Sequence, residues 1–464
     1  MEDLAKKAID AAQKSGAEFV DLRLESTLGT NIVVMDGKTR NMSAQRESGC
    51  GIRAFVGGAW GFSATNDLST KSLKSAAEAA VRMAKVARSK AKIEFRIADG
   101  KAVRRTEKYR CKERPSDITV DEKLAFVLSL DKQMRSHGSR ISSTNVRYDD
   151  LEAERLVANS FGSLVRASEK WVLSGCSAWA RTENLLQRGH ASEGSVGGYE
   201  LMRKEVSQNL GNAAAEQALR LLDSRPVPAG KFTVILDNKM TGMLAHEAFG
   251  HACEADGILG GSSVLADRLG QKVANEGITM VDDPTLEDTF GHFSFDWEGV
   301  KAKKNVLIAD GVLTGFMHNI ESSSRMGLEP TGSARAQAYN SPPIIRMSNT
   351  YIAPGKQDKD ELFEGLKRGL MIQGNQYGYV EPAKGQFMFK CDEVYEIVNG
   401  EVGQRFRDAS ISGLILEVLN NVEGIANDFV LGDPGYCGKG GQSARTAEGG
   451  PHLRVANMVV GGLA

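Results

Sequence analysis

The stretch Ser224-Arg225-Pro226-Val227-Pro228-Ala229-Gly230 splits the chain into two parts of different character. Two prolines and a glycine within seven residues cannot continue a helix. Before them, the pattern predicts a helix over 199–222; after them, 232–236 reads as a strand. The stretch therefore sets an N-terminal domain at 1–223 and a C-terminal domain at 224–464.

Upstream, Leu4, Ala5, Ala8, Ile9 and Ala12 recur at helical spacing, and 18–65 reads as a strand meander. Val20, Leu22 and Leu24 alternate, and Asp36-Gly37 and Gly57-Gly58 supply the turns. Ser69 opens a helix whose Leu73, Ala76, Ala77, Ala80, Val81 and Ala84 share one face. A helix over 121–134 and strands over 141–148, 151–159 and 164–180 follow, the last two joined by a turn at Phe161-Gly162-Ser163. Helices lying on a sheet make this an α/β sandwich-like domain. Downstream of the stretch, helix signals are scarce. Asp310-Gly311 and Asn399-Gly400, each between apolar runs, mark two-residue hairpins. The second domain should be mainly antiparallel β with one helix of consequence, and the fold class α+β.

Composition narrows the function. With 41% hydrophobic and 25% charged residues the chain is suited to a packed core. Lys plus Arg (58) nearly equal Asp plus Glu (59), so no overall field attracts a polyanion, and nucleic acid is not an expected partner. Residues 82–114 do carry 13 basic against 4 acidic side chains, but with only Phe95 and Tyr109 as aromatics they read as a solvated helix end and loop. A substrate-steering or subunit-docking surface is the alternative there. No apolar run approaches the ~18 residues of a membrane span. The acidic start is unlike a secretion signal, and six scattered cysteines without a C-x-x-C pair fit a reducing compartment, so a cytoplasmic location is expected.

Chemistry concentrates in the helix after the first strand of the second domain, Thr241-Gly242-Met243-Leu244-Ala245-His246-Glu247-Ala248-Phe249-Gly250-His251-Ala252-Cys253-Glu254-Ala255-Asp256. Two of seven histidines lie five apart, with a glutamate after the first. Zinc-binding H-E-x-x-H helices space their histidines four apart, about 40° round the axis; five apart gives about 140°. The pair is therefore either a chance feature of a core helix or part of a deformed one. A single π-type turn would bring both rings to one side, most cheaply at Gly250. A catalytic zinc site also needs a third protein ligand and an open position. Cys437, within Gly435-Tyr436-Cys437-Gly438-Lys439-Gly440-Gly441-Gln442, is a candidate: the glycines allow close backbone approach and Lys439 would favour the thiolate.

With these motifs the chain resembles the TldD/PmbA metallopeptidases, in the branch that keeps H-E-x-x-x-H, over nearly its whole length. Gly49-Cys50-Gly51-Ile52-Arg53, Gly58-Ala59-Trp60-Gly61-Phe62, Arg346-Met347-Ser348-Asn349-Thr350 and Cys437-Gly438-Lys439 carry the resemblance beside the helix. It implies a zinc-dependent peptidase hydrolysing small or unfolded peptides. His246, His251 and Cys437 would bind Zn2+, and Glu247 would activate the metal-bound water as general base. It also implies a dimer, either of identical chains or with a TldD/PmbA-family paralogue. The chain departs from its bacterial relatives at Ala252, Ala255 and Cys253; Cys253 reads as core packing.

Further expectations attach to that reading. Glu254 and Asp256 would hydrogen-bond a ligand imidazole. His318 and Tyr436 are candidate oxyanion donors, and 346–350 could offer a strand edge to an extended peptide. Two rival functions stay open: a non-enzymatic regulatory or interaction protein with a structural metal site, and a thiol peptidase using Cys437 as nucleophile.

Overall fold

The computed structural model describes residues 1–90 and 95–462, so Lys92 and Glu94 of the basic segment lie outside the described residues. The first half runs α1 (Glu2–Lys14), β1 (Phe19–Met35), β2 (Lys38–Val56), β3 (Ala59–Thr65), α2 (Thr70–Arg88), β4 (Arg104–Lys108), α3 (Val120–Ser136), β5 (Ile141–Asn159), β6 (Leu164–Arg181), β7 (Leu186–Val196), α4 (Glu205–Gln208) and α5 (Leu210–Leu222). Its strands form one sheet in the order β3-β2-β1-β5-β6-β4, with β7 also on β6. The Ser69 hydroxyl caps α2 by accepting from the Ser72 amide, as its position suggests.

Alternation along the strands gives the sheet two unlike faces. Val20, Leu22, Leu24 and Leu156 pack with α1 and α2, while Ile32, Val34, Val146, Val172 and Cys176 pack with α3 and α5. The intervening positions Asp21, Arg23, Glu25, Arg53 and Glu169 are buried as well, yet charged. They meet the second half: Arg53 bridges Asp21 and Glu298, and Arg23 donates to the Ser341 carbonyl at 2.6 Å. Buried charges persist only when paired or hydrogen-bonded, and the contacts of Arg53 with Glu298 and of Arg23 with Ser341 run between the two parts of the chain.

Three details of the first half differ from the sequence reading. The strands expected at 141–148 and 151–159 are one, because Asp149 and Asp150 find partners on the sheet and on the helix above it: Asn31 of β1 donates to Asp149, and Lys123 of α3 pairs with Asp150 at 2.6 Å. The helix expected over 199–222 is interrupted. Ser207 and Gln208 side chains donate to the Leu201 and Met202 carbonyls and compete with the helix's own ladder. β4 and β7 were not anticipated; Gln187-Arg188-Gly189-His190 lacks apolar alternation.

The second half begins with β8 (Arg225–Pro226), β9 (Gly230–Leu236) and α6 (Asn238–Met243). It continues through β10 (Met280–Asp282), β11 (Asn305–Ala309), β12 (Val312–Leu313), β13 (Ala334–Arg335), β14 (Ile344–Ile345), β15 (Asn349–Ile352), β16 (Arg368–Glu381), β17 (Gln386–Val398), β18 (Glu401–Arg407) and β19 (Ala409–Leu414). β20 (Val422–Ile425), β21 (Val430–Lys439), β22 (Gln442–Gly450) and β23 (Leu453–Gly462) complete it. Pairing is mostly antiparallel, as expected, and both hairpins form at Asp310-Gly311 and Asn399-Gly400, whose φ angles are all positive. β16 pairs with β17 and β9, β9 with β23, β23 with β19, and β19 back with β17, which closes a ring of five strands. A second sheet has the order β12-β11-β10-β15-β22-β21. The architecture is α+β. No helix of the described residues is long and apolar enough to cross a membrane.

Candidate metal centre

α6 runs directly into a π-helical stretch, Leu244–Gly250, which carries His246 and Glu247 and ends one residue before His251. This is the deformation the histidine spacing demands if both rings are to share a side. Two contacts explain why it sits there. A Cβ on Gly250 would come within 2.1 Å of the Met347 sulfur, and one on Gly242 within 2.5 Å of the Gly449 backbone. Glycine at both positions lets the helix lie directly on β22 and the segment before β15.

The hairpin of β21 and β22 supplies the third residue. Cys437 Sγ lies 3.3 Å from His251 Nε2 across 186 positions of sequence, and the two imidazole centroids are 5.5 Å apart. One ligating atom from each of His246, His251 and Cys437 falls within 4.8 Å of the others. His246 and Cys437 are buried, at 2% and 5% exposure. His251 and Cys437 also line a cavity of about 620 Å³, with Glu247, Glu254, Tyr379, Val380 and Tyr436 in its wall. The Glu247 carboxylate stands 3.8 Å from His251 Nε2.

Electrostatics bind the trio together. Burial alone would raise the Cys437 thiol, but the charges and hydrogen bonds of His246 and His251 outweigh it and bring it down to about 4. Burial likewise opposes the charged imidazoles, yet the Cys437 thiolate lifts His246 to about 9, and Glu254 with Cys437 lifts His251 well above its ordinary value. Two imidazoles and a thiolate form a nitrogen and sulfur donor set of the kind zinc takes. The cavity beside His251 and Cys437 leaves room for a substrate atom. The residues present therefore fit the metal that the resemblance implies.

The remaining expectations divide. Glu254 Oε2 lies 3.0 Å from His251 Nδ1, so its carboxylate accepts from the ring and orients Nε2 towards Cys437. Cys253 is fully buried in the core, as read. Asp256, by contrast, accepts from Lys439 at 2.8 Å, and Lys439 also pairs with Glu254 at 3.2 Å. Its ammonium serves those carboxylates, and the low thiol value comes from the histidines. Gly440 and Gly441 have φ of 58° and 73°, so they make the hairpin turn; a Cβ on Gly438 would meet nothing within 4 Å.

His318 is tied to Ser322 and Thr331 and is not among the cavity residues. Tyr436 stays at the cavity wall, its ring against Trp171 and Phe290. The segment 346–350 is no edge: Ser348, Asn349 and Thr350 are fully buried, and β15 lies between β10 and β22. An open edge occurs elsewhere. β9 covers β16 only at Leu370, Met371 and Ile372, and β17 takes its other side throughout. Beyond Tyr377, among the described residues, no strand pairs with the outer side of β16, and Gly378, Tyr379 and Val380 there line the cavity. The sequence clue was slight: Tyr377 and Tyr379 alternate in a run otherwise typical of a hairpin strand.

Fold and site together define an α+β protein with a preformed His, His, Cys group on a deformed helix and a distant hairpin. Residues 20–84, 113–222 and 229–462 match, in turn, domain 1, the central domain and the C-terminal domain of the PmbA/TldA metallopeptidases. The chain belongs to the TldD/PmbA family. It is 39% identical to a metalloprotease of Methanothermobacter thermautotrophicus, over 96% of each chain. It is 28% identical to a zinc metalloprotease TldD homolog of Saccharolobus solfataricus, over 98% of this chain and 99% of that one. Among solved structures it resembles a candidate modulator of a DNA gyrase from Thermotoga maritima, with a TM-score of 0.79 and 22% identity over 99% of this chain and all of that one.

Proposed function

We propose that this chain is a zinc-dependent peptidase of small or unfolded peptides, with Zn2+ held by His246, His251 and Cys437. The observation that carries the reading is the meeting of these three ligating atoms at the edge of a cavity that His251, Cys437 and Glu247 line. The metalloprotease names of its relatives, one of them a zinc metalloprotease, support it. Zinc, when bound, would supply Lewis acidity to the scissile carbonyl and lower the pKa of the attacking water. Glu247 takes the proton from that water and returns it to the leaving amine. Glu254 holds His251 in the tautomer that presents Nε2.

An extended peptide would add to the open edge of β16 at 377–381, with main-chain hydrogen bonds and little side-chain preference. A free extended segment is offered most readily by short or unstructured chains, which favours substrates of that kind. N-methylation of alternate substrate amides should therefore slow cleavage at least about tenfold, whereas side-chain changes at the same positions should matter less. The division at 223/224 into two domains, a cytoplasmic location and a working dimer, of identical chains or with a TldD/PmbA paralogue, are parts of the same proposal. Six unpaired cysteines support the location. Sizing of the pure chain with and without candidate paralogues separates the two dimers.

One observation favours a second reading. A thiolate 3.3 Å from an imidazole also suits a thiol peptidase. Chelation decides between the two: loss of peptide cleavage on chelation, restored by zinc, supports the metallopeptidase, and chelator-resistant cleavage that is blocked by alkylation supports the thiol enzyme. Glu247→Gln that leaves cleavage unchanged overturns the proposed role of Glu247.

A further inference from the structure

The second half holds all three candidate ligands, but the strand that presents Cys437 is braced from the first. Tyr436 and Arg445 are cross-strand partners on the β21 and β22 hairpin, beside the pair Cys437 and Ala444. Both lean on β6. The Arg445 guanidinium, buried at 6% exposure, donates to the Glu169 carboxylate and to the Phe290 carbonyl. Two residues along β6, the Trp171 ring meets Tyr436 with centroids 6.3 Å apart and Phe290 at 5.6 Å. Phe290 closes the triangle against Tyr436 at 5.5 Å.

Glu169 and Trp171 fall on the same face of β6 because side chains repeat every second residue in a strand. That face is the charged one turned to the second half. Glu169 is itself fixed: Arg155 donates to its other oxygen at 3.2 Å and to Glu25 at 3.0 Å. A carboxylate held by an arginine on its own sheet gives the Arg445 hairpin a rigid anchor.

We infer that Glu169 and Trp171 are positioning residues for the metal centre: the first-half sheet sets where Cys437 stands relative to His246 and His251. The inference rests on the proposed zinc site. It assigns the first half a part in metal binding that no ligand of its own supplies. Neither residue touches the donors, so each acts through the hairpin.

The test is metal affinity of the full-length protein, by competition with a chromophoric chelator, for wild type, Glu169→Gln and Trp171→Leu. Cobalt(II) substitution reports the thiolate bond through its charge-transfer absorption. Trp171→Leu leaves the ion pairs intact and covers the event that Glu169→Gln does not fold. Asp150→Asn, on the other face of the same sheet, serves as a control for lost stability. Outer partners of metal ligands typically change affinity ~10–100-fold, and both variants should weaken binding by that order and diminish the cobalt–thiolate band, while Asp150→Asn leaves both unchanged. Affinity within about twofold of wild type and an unaltered band, with only thermal stability reduced, would overturn the inference. A wild-type protein that takes up neither metal is a different result, and it sinks the peptidase proposal itself.

Discussion

The two sheet systems are built on opposite plans. In the first half, strands of up to 19 residues pair with their neighbours through tight turns, β1 with β2 and β5 with β6 along almost their whole length. In the second half, hairpins such as β16 with β17 and β21 with β22 are joined to one another across long intervals: β15 lies parallel to β22, and the ring closes through β9, β23 and β19. The first plan yields a regular slab whose position-by-position alternation hides charges on one face. The second brings a helix turn and a hairpin from opposite ends of the domain to one point. Regular pairing stabilises; distant pairing assembles chemistry.

The largest expected effect is on chemistry in the second half. Glu247→Gln should lower peptide cleavage ~10²–10⁴-fold with zinc content unchanged, as for loss of a general base, read from turnover of an unstructured peptide and metal analysis. A change confined to the first half should do the reverse. Asp150 is buried, pairs with Lys123 at 2.6 Å and accepts from the Thr30 amide at 3.0 Å. Asp150→Asn should cost about 3–5 kcal/mol in denaturant unfolding, since it leaves a buried lysine unpaired, and should spare zinc binding. Loss of zinc in that variant would erase the distinction between the regions.

A smaller effect tests the second half by pH. Burial holds His318 neutral, down to about 4 from 6.5. Its folded value is depressed, so the stability it contributes is present above pH 6.5 and is lost as pH falls towards 4. The loss should reach up to about 3 kcal/mol, at about 1.4 kcal/mol per unit. His318→Gln should flatten that part of the stability profile; an unchanged slope would assign the acid sensitivity to other groups. The smallest effect concerns the π-helical turn. Gly250→Ala should destabilise by about 1–3 kcal/mol through overpacking on Met347, and adding Met347→Ala should recover part of the loss. Strict additivity of the two would contradict the contact as the reason for glycine.

What the sequence disclosed follows the same contrast. Val20, Leu22 and Leu24 with Asp36-Gly37 announced a hairpin, because alternation and turn chemistry are local. The five-residue histidine spacing left a chance pair on a regular helix or a deformed helix as its two readings, because at 3.6 residues per turn only the second joins the rings. β7 and the single strand β5 were missed, since polar residues there are satisfied by partners across the sheet that no local pattern reveals. For 346–350 the sequence leaves a strand edge and an ordinary buried strand both open, and the structure shows the buried strand: Ser348 and Thr350 look suited to a surface but bond to buried Asp282. Lys439 beside Cys437 in sequence suggested a thiolate partner, and its ammonium turned to Glu254 and Asp256. Adjacency along a strand does not set where a long side chain ends.

The central claim, that two imidazoles and one thiolate meet on a single zinc ion, is most directly tested by X-ray absorption at the zinc edge of the purified protein. The account predicts one sulfur at about 2.3 Å and two histidine nitrogens at about 2.0–2.1 Å, with the sulfur lost in Cys437→Ser. A first shell of nitrogen and oxygen alone in the wild type, or a sulfur signal that survives Cys437→Ser, would contradict it.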